Sequence, residues 1–137
     1  MGFVYTEVTL KNLGDVYKAE NGLIGEQQVR QETVKAMADT GASTLIINEE
    51  LQERLGLKAM RAKKVTMANE KKEQCFFTES VEISWKDRET TLRPLVIPGS
   101  KEILLGALPL EAMDLMVDPI RQDVIGAHGD EEVYYAM

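Results

Sequence analysis

Five residues, Asp39-Thr40-Gly41-Ala42-Ser43, interrupt an apolar stretch of β-type sequence and constrain the fold of this chain more than any other feature. Before them stands Val29–Ala38 (VRQETVKAMA), in which Val34, Ala36 and Ala38 share one face of a strand and Met37 lies on the other. After them, Thr44–Ile47 (TLII) reads as a short buried strand. A carboxylate between two strands sits in a tight loop at the end of a sheet. The glycine lets the backbone come close, so that its N–H can point at a carboxylate oxygen. The threonine hydroxyl can tie the loop to a neighbour. Three residues recur by chance, so the surroundings must carry the meaning.

Those surroundings are short strands with small helices between them. Phe3–Leu10 (FVYTEVTL) is rich in β-branched and aromatic residues and predicts a strand. Asn12–Asp15 with Gly14 predicts a turn, and Val16–Ala19 a return strand. Past Ile47 the period changes. Asn48 is a good N-cap, Glu49 and Glu50 suit a first helical turn, Leu51 and Leu55 face one way, and Gly56 ends a helix over 49–55. A second β-rich half is expected from Val65–Ala68, with a polar tip at Asn69–Lys72. Cys75–Trp85 and Thr90–Ile97 are expected to pair about Lys86–Arg88. Ile103–Leu105 reads as a buried strand followed by Gly106, and Pro109 suits the first turn of a helix near 108–114. Leu115–Val117 resumes extended structure.

This order is strand, Asp-Thr-Gly-Ala, strand, helix, long hairpin, apolar-apolar-Gly, helix. It resembles the retropepsin family of aspartic proteases, in particular its bacterial retroviral-like members, over about residues 3–118. The resemblance implies an all-β, single-domain half-site with one or two short helices, closed by homodimerisation. Residues 1–118 would form the protease domain, and 119–137 a C-terminal tail or dimer-interface strand. It also implies a homodimeric aspartic endopeptidase with Asp39 as the catalytic residue and Thr40 and Gly41 supporting the catalytic loop. The substrate would lie against Gly41, Ala42, Ser43, Asn69 and Glu70, and neither a metal nor a cofactor is needed. The other reading is a retropepsin-shaped dimerisation or peptide-binding module of weak activity.

Counting gives the stoichiometry. Aspartic proteolysis needs two carboxylates close together, and the chain has one Asp-Thr-Gly and is too short for two half-sites. An active enzyme of this kind therefore pairs Asp39 with its symmetry mate across a two-fold axis. Ala42 cannot donate a hydrogen bond to the carboxylate as a serine would, so the pair is expected to work in mildly acidic to neutral buffer. The hairpin expected to cover substrate departs from retroviral relatives, because residues 58–98 contain no glycine and its tip is charged at Glu70, Lys71 and Lys72. A stiffer or more open flap is expected. Ser43 and Thr44 also stand where the family carries acidic residues.

Composition limits the partners. Of 137 residues, 44% are hydrophobic and 28% charged, which is ordinary for a globular domain. Sixteen Lys and Arg against 23 Asp and Glu leave a net charge of −7, which lacks the basic footprint that nucleic acid or anionic lipid requires. The longest uncharged apolar run, Ile103–Leu110, is broken by Gly106 and Pro109 and falls far short of a membrane span. No secretory signal is evident, so the cytoplasm is the expected compartment. Met1-Gly2 with Thr6 fits the loose myristoylation pattern, but an early first strand accounts for it better. The single cysteine, Cys75, reads as a packed strand thiol, and His128 as a loop histidine beside surface acids. Pro98-Gly99-Ser100 reads as a turn, and Trp85 and Tyr134-Tyr135 as packing or interface residues.

Overall fold

The computed structural model describes residues 3–66 and 72–129. The first strand, β1 (Val4–Asn12), alternates as expected: Val4, Val8 and Leu10 turn inward while Tyr5 and Glu7 face solvent. It does not return as a strand. Residues expected as a turn and partner strand instead form helix α1 (Leu13–Glu20). Asn12 caps it, accepting from the Asp15 N–H at 3.1 Å, and donates its amide to the Leu55 carbonyl at 2.8 Å. The helix ends where Gly22 takes φ 72 and the Leu23 N–H reaches back to the Lys18 carbonyl at 2.8 Å. Val16 and Tyr17 look like strand residues locally. The cap, the glycine stop and the buried Asp15, whose carboxylate grips Arg30 at 2.8 Å and 2.9 Å, override that preference.

After a short 3-10 turn (Glu26–Gln28), β2 (Gln31–Ala38) runs antiparallel to β1 with Val4 opposite Ala38. Strand β3 (Leu45–Ile47) follows the acid loop and leads into α2 (Glu49–Leu55). Helix α2 forms as the sequence predicts: Asn48 accepts from the Leu51 N–H at 2.8 Å, and Gly56 takes φ 62. Its Leu51 and Leu55 are buried.

Strand β4 (Ala59–Thr66) starts earlier than the sequence suggests and pairs with β5 (Lys72–Thr78), the last described pair being Thr66 with Lys72. The long hairpin expected from Cys75 to Ile97 is divided in two. Strands β6 (Val81–Trp85) and β7 (Arg88–Leu92) do turn about Lys86 and Asp87, with Trp85 opposite Arg88. Strand β5, however, pairs with β4 and with β8 (Leu95–Val96). Pro94 has no N–H to extend the β7 ladder, and its carbonyl instead accepts from the Thr78 N–H at 3.2 Å.

Strand β9 (Leu104–Leu105) leads through Gly106 into α3 (Ala107–Ala112), with Pro109 in its first turn. The hairpin of β10 (Leu115–Asp118) and β11 (Asp123–Gly126) then packs beside β1. This hairpin enters the 119–137 stretch expected as tail or interface strand, and residues 130–137 lie outside the described residues. The other strands form one curled nine-stranded sheet, ordered β4-β5-β8-β3-β9-β2-β1-β6-β7. The all-β class therefore holds, with three short α-helices among the described residues where one or two were expected. The main core gathers Val8, Leu10, Leu45, Ile47, Leu55, Ile83, Leu105 and Met113. A smaller cluster holds Cys75, Leu95 and Ile97, placing Cys75 as a buried packed thiol.

Arg88 is 2% exposed; its guanidinium lies 3.9 Å from the Asp114 carboxylate and hydrogen-bonds to backbone. It donates to the carbonyls of Asp114 at 2.6 Å, Met113 at 3.2 Å and Gly129 at 2.7 Å. The β6–β7 hairpin is thereby tied to the end of α3 and to the turn after β11.

Candidate active site

The acid loop is built by its crossing partner. Strand β9 inserts between β2 and β3, parallel to the strand that enters the loop and antiparallel to the strand that leaves it. Leu105 pairs with Ala38 on one side and Leu45 on the other. Its carbonyl accepts the Asp39 N–H at 3.0 Å, so the backbone of the acid is fixed from beneath. The apolar Leu104-Leu105 pair thus lies under the loop, with Leu105 fully buried.

Beyond β9 the chain turns along the loop and donates three backbone N–H groups to it. Gly106 donates to the Thr44 carbonyl at 3.0 Å, Ala107 to that of Ala42 at 2.8 Å, and Leu108 to that of Ser43 at 3.0 Å. The approach leaves no room for a side chain at Gly106: an added Cβ would press on the Thr44 carbonyl oxygen and lie 2.6 Å from that of Ala42. The glycine of the apolar-apolar-Gly pattern is therefore a steric requirement of the loop.

Within the loop the geometry is local. The Gly41 N–H donates to Asp39 Oδ1 at 2.9 Å, and the Ala42 N–H donates to the Asp39 carbonyl at 3.0 Å. Asp39 is half-buried, while Thr40, Gly41 and Ser43 are exposed and Ala42 is half-buried. Among the described residues the Thr40 hydroxyl has no hydrogen-bond partner. Such a loop orients the carboxylate through Oδ1 and leaves Oδ2 without a hydrogen bond among the described residues.

The structure thus brings together Asp39, Thr40, Gly41, Ala42 and Ser43. Asn69 and Glu70, the other two predicted substrate contacts, lie outside the described residues, as does the tip of the β4–β5 hairpin. Sequence reasoning missed the clamp supplied by Ala107 and Leu108. Any residue can provide a backbone N–H, so their identities carried no signal. The loop histidine His128 has a surface acid beside it in Asp114, whose two oxygens each lie 2.8 Å from its Nδ1. Among the described residues no group of three or more His, Cys, Asp or Glu side chains is arranged to hold a metal. No described helix is long and apolar enough to cross a membrane.

Comparison with known proteins agrees with this architecture. The chain is similar in structure to the retroviral protease-like domain of Ddi1 from Leishmania major, at TM-score 0.56 and 16% identity over 90% of this chain and 87% of that one. It is similar to a retropepsin-like aspartic protease from Rickettsia conorii, at TM-score 0.51 and 18% identity over 85% and 77%. It also resembles EIAV protease, solved with the inhibitor HBY-793, at TM-score 0.51 and 23% identity over 58% and 75%. At these identities the likenesses establish the fold. No curated protein matches the chain in sequence at a significant level. The sequence profile of the aspartyl protease family, however, matches residues 25–108, which contain the acid loop, the strand beneath it and Gly106. With that profile covering more than half of its length, the chain belongs to the aspartyl protease family.

Proposed function

We propose that the protein is a homodimeric aspartic endopeptidase in which Asp39 of each copy supplies one carboxylate. The observation that best supports this is the acid loop itself, with one carboxylate oriented by the Gly41 N–H and clamped from below by four backbone hydrogen bonds. Two carboxylates about 3 Å apart cannot both ionise comfortably and share one proton. The ionised partner takes a proton from a water between them. The resulting hydroxide adds to the peptide carbonyl carbon, and the protonated partner donates to the carbonyl oxygen. The tetrahedral diol then returns its proton through the same pair to the departing nitrogen as the C–N bond breaks. Thr40, exposed and without a hydrogen-bond partner among the described residues, is proposed to bond the second copy. Gly41, Ala42 and Ser43 offer backbone to an extended peptide, and Asn69 and Glu70 are proposed to close over it.

The test is cleavage of a mixed peptide library by the purified protein, with sites mapped by mass spectrometry. Cleavage that disappears in Asp39→Asn and is blocked by a statine-type inhibitor is expected. Sedimentation should show a dimer at concentrations where activity is seen. Peptide binding without cleavage from acidic to mildly alkaline pH would reduce the protein to a binding module. A monomer that cleaves would remove the two-acid mechanism.

A further inference from the structure

Beyond the acid loop lies an apolar cavity of about 420 Å³. Its apolar wall is Phe77 of β5, Leu92 of β7, and Leu108, Pro109 and Ala112 of α3; Thr44 at the foot of the loop, Thr90, Thr91 and Arg93 complete the lining. Leu108 stands 60% exposed at its rim. Two larger clefts, of about 650 Å³ and 490 Å³, are lined mainly by polar and charged side chains such as Glu7, Lys35 and Asp123, or Lys11, Glu26 and Glu82. The 420 Å³ cavity is of a different kind: apolar, open, and continuous with the acid loop. Thr44 belongs to both, and the residue at its rim, Leu108, is the one whose N–H holds the Ser43 carbonyl.

We propose that this cavity is an outer specificity site that seats an apolar side chain of the bound peptide, on the stretch that runs past Ser43 and away from the scissile bond. The proposal rests on the protease reading above. An extended peptide advances about 3.3 Å per residue and turns alternate side chains to the same face. A chain leaving the acid loop along Ser43 and Thr44 therefore presents one outward residue to α3 and the end of β7. A leucine there removes its own surface and that of Leu108 from water, a gain that a serine at the same position does not give. Specificity would thus be set partly by a residue remote from the bond that is cut, which relieves the apolar walls nearest Asp39 of that task.

The test uses synthetic peptides with a fixed Phe-Phe centre and Ser/Ala flanks, in which one leucine is moved outward position by position. The readout is the ratio of kcat/KM for each leucine peptide to that of the peptide with serine there. It is measured for the wild-type dimer and for Ala112→Trp and Leu108→Glu, both changes at exposed positions. A ratio of roughly three to ten is expected at one outer position, carried by KM, falling to about one in both variants. Because each ratio is internal to one protein, a general loss of activity does not imitate this result. A ratio near one at every outer position, or one that survives both substitutions, overturns the proposal. If no peptide is cleaved, the protease reading fails separately. Anisotropy of the same labelled peptides on Asp39→Asn then decides the cavity: tighter binding of the leucine peptide that Ala112→Trp abolishes sustains it, and equal binding overturns it.

Discussion

Gly106 shows how far one residue can control a site it does not enter. A methyl group there has backbone carbonyls on its path, and carbonyls cannot rotate away as a flexible side chain can. Gly106→Ala must push β9 and the acid loop apart, at a cost of roughly 1–3 kcal/mol typical of forced overpacking. Urea denaturation should register that loss, and turnover should fall further than stability, because the displaced partner is the Asp39 loop. Asp39 and Gly106 were legible in the sequence because each has a side-chain requirement: a carboxylate in one case, no side chain at all in the other. Ala107 and Leu108 act through N–H groups that every non-proline residue owns, so nothing in their identity announced the clamp.

Elements were readable where their ends were marked. Helix α2 carries an asparagine before it and a glycine after it, and both function as such in the folded chain. Helix α1 carries the same marks, Asn12 and Gly22, but Gly14 and the pair Val16-Tyr17 disguise its interior as turn and strand. Its stability comes from tertiary partners that no local window contains: the Leu55 carbonyl on Asn12 and Arg30 on Asp15. Asn12→Ala removes both the cap and the buried bond to α2. A loss of about 1–2 kcal/mol is expected, seen as a lower denaturation midpoint with unchanged slope. The two-residue strands β8 and β9 are too short for any period to show. They exist because neighbouring strands offer edges to them.

At the scale of the whole molecule, two carboxyl groups shape the response to acid and base in opposite senses. The Arg30 guanidinium hydrogen-bonded to Asp15 holds that carboxyl below its usual 3.8. Its contribution is fully present above that value and is lost as pH falls through the lowered one. Glu82 on β6 is pushed up from 4.5 to about 7 by its hydrogen bond to Glu89 on β7, by burial and by the like charges of Glu89 and Glu20, with Lys11 opposing. Between those two values the folded chain holds a proton that the unfolded chain has released, so stability declines as pH rises through the window. Glu82→Gln should flatten that decline, with denaturation midpoints at about pH 5 and pH 8 drawing closer together than in the wild type. Assembly has its own signature. If both copies supply the site, specific activity must rise with protein concentration and level off where the dimer saturates. The count of acids behind that expectation is legible in the sequence, whereas the packing of the β10–β11 hairpin beside β1 shows only in the folded chain.

The insertion of β9 between β2 and β3 also carries a consequence for biosynthesis. Asp39 leaves a ribosome about 66 residues ahead of Leu105, whose strand seats it. Until residue 105 is out of the exit tunnel the acid has no floor, and long-range closures of this kind are slow steps in folding. In a nascent chain of this design the acid loop stays unseated until a strand some 66 residues farther along has been made.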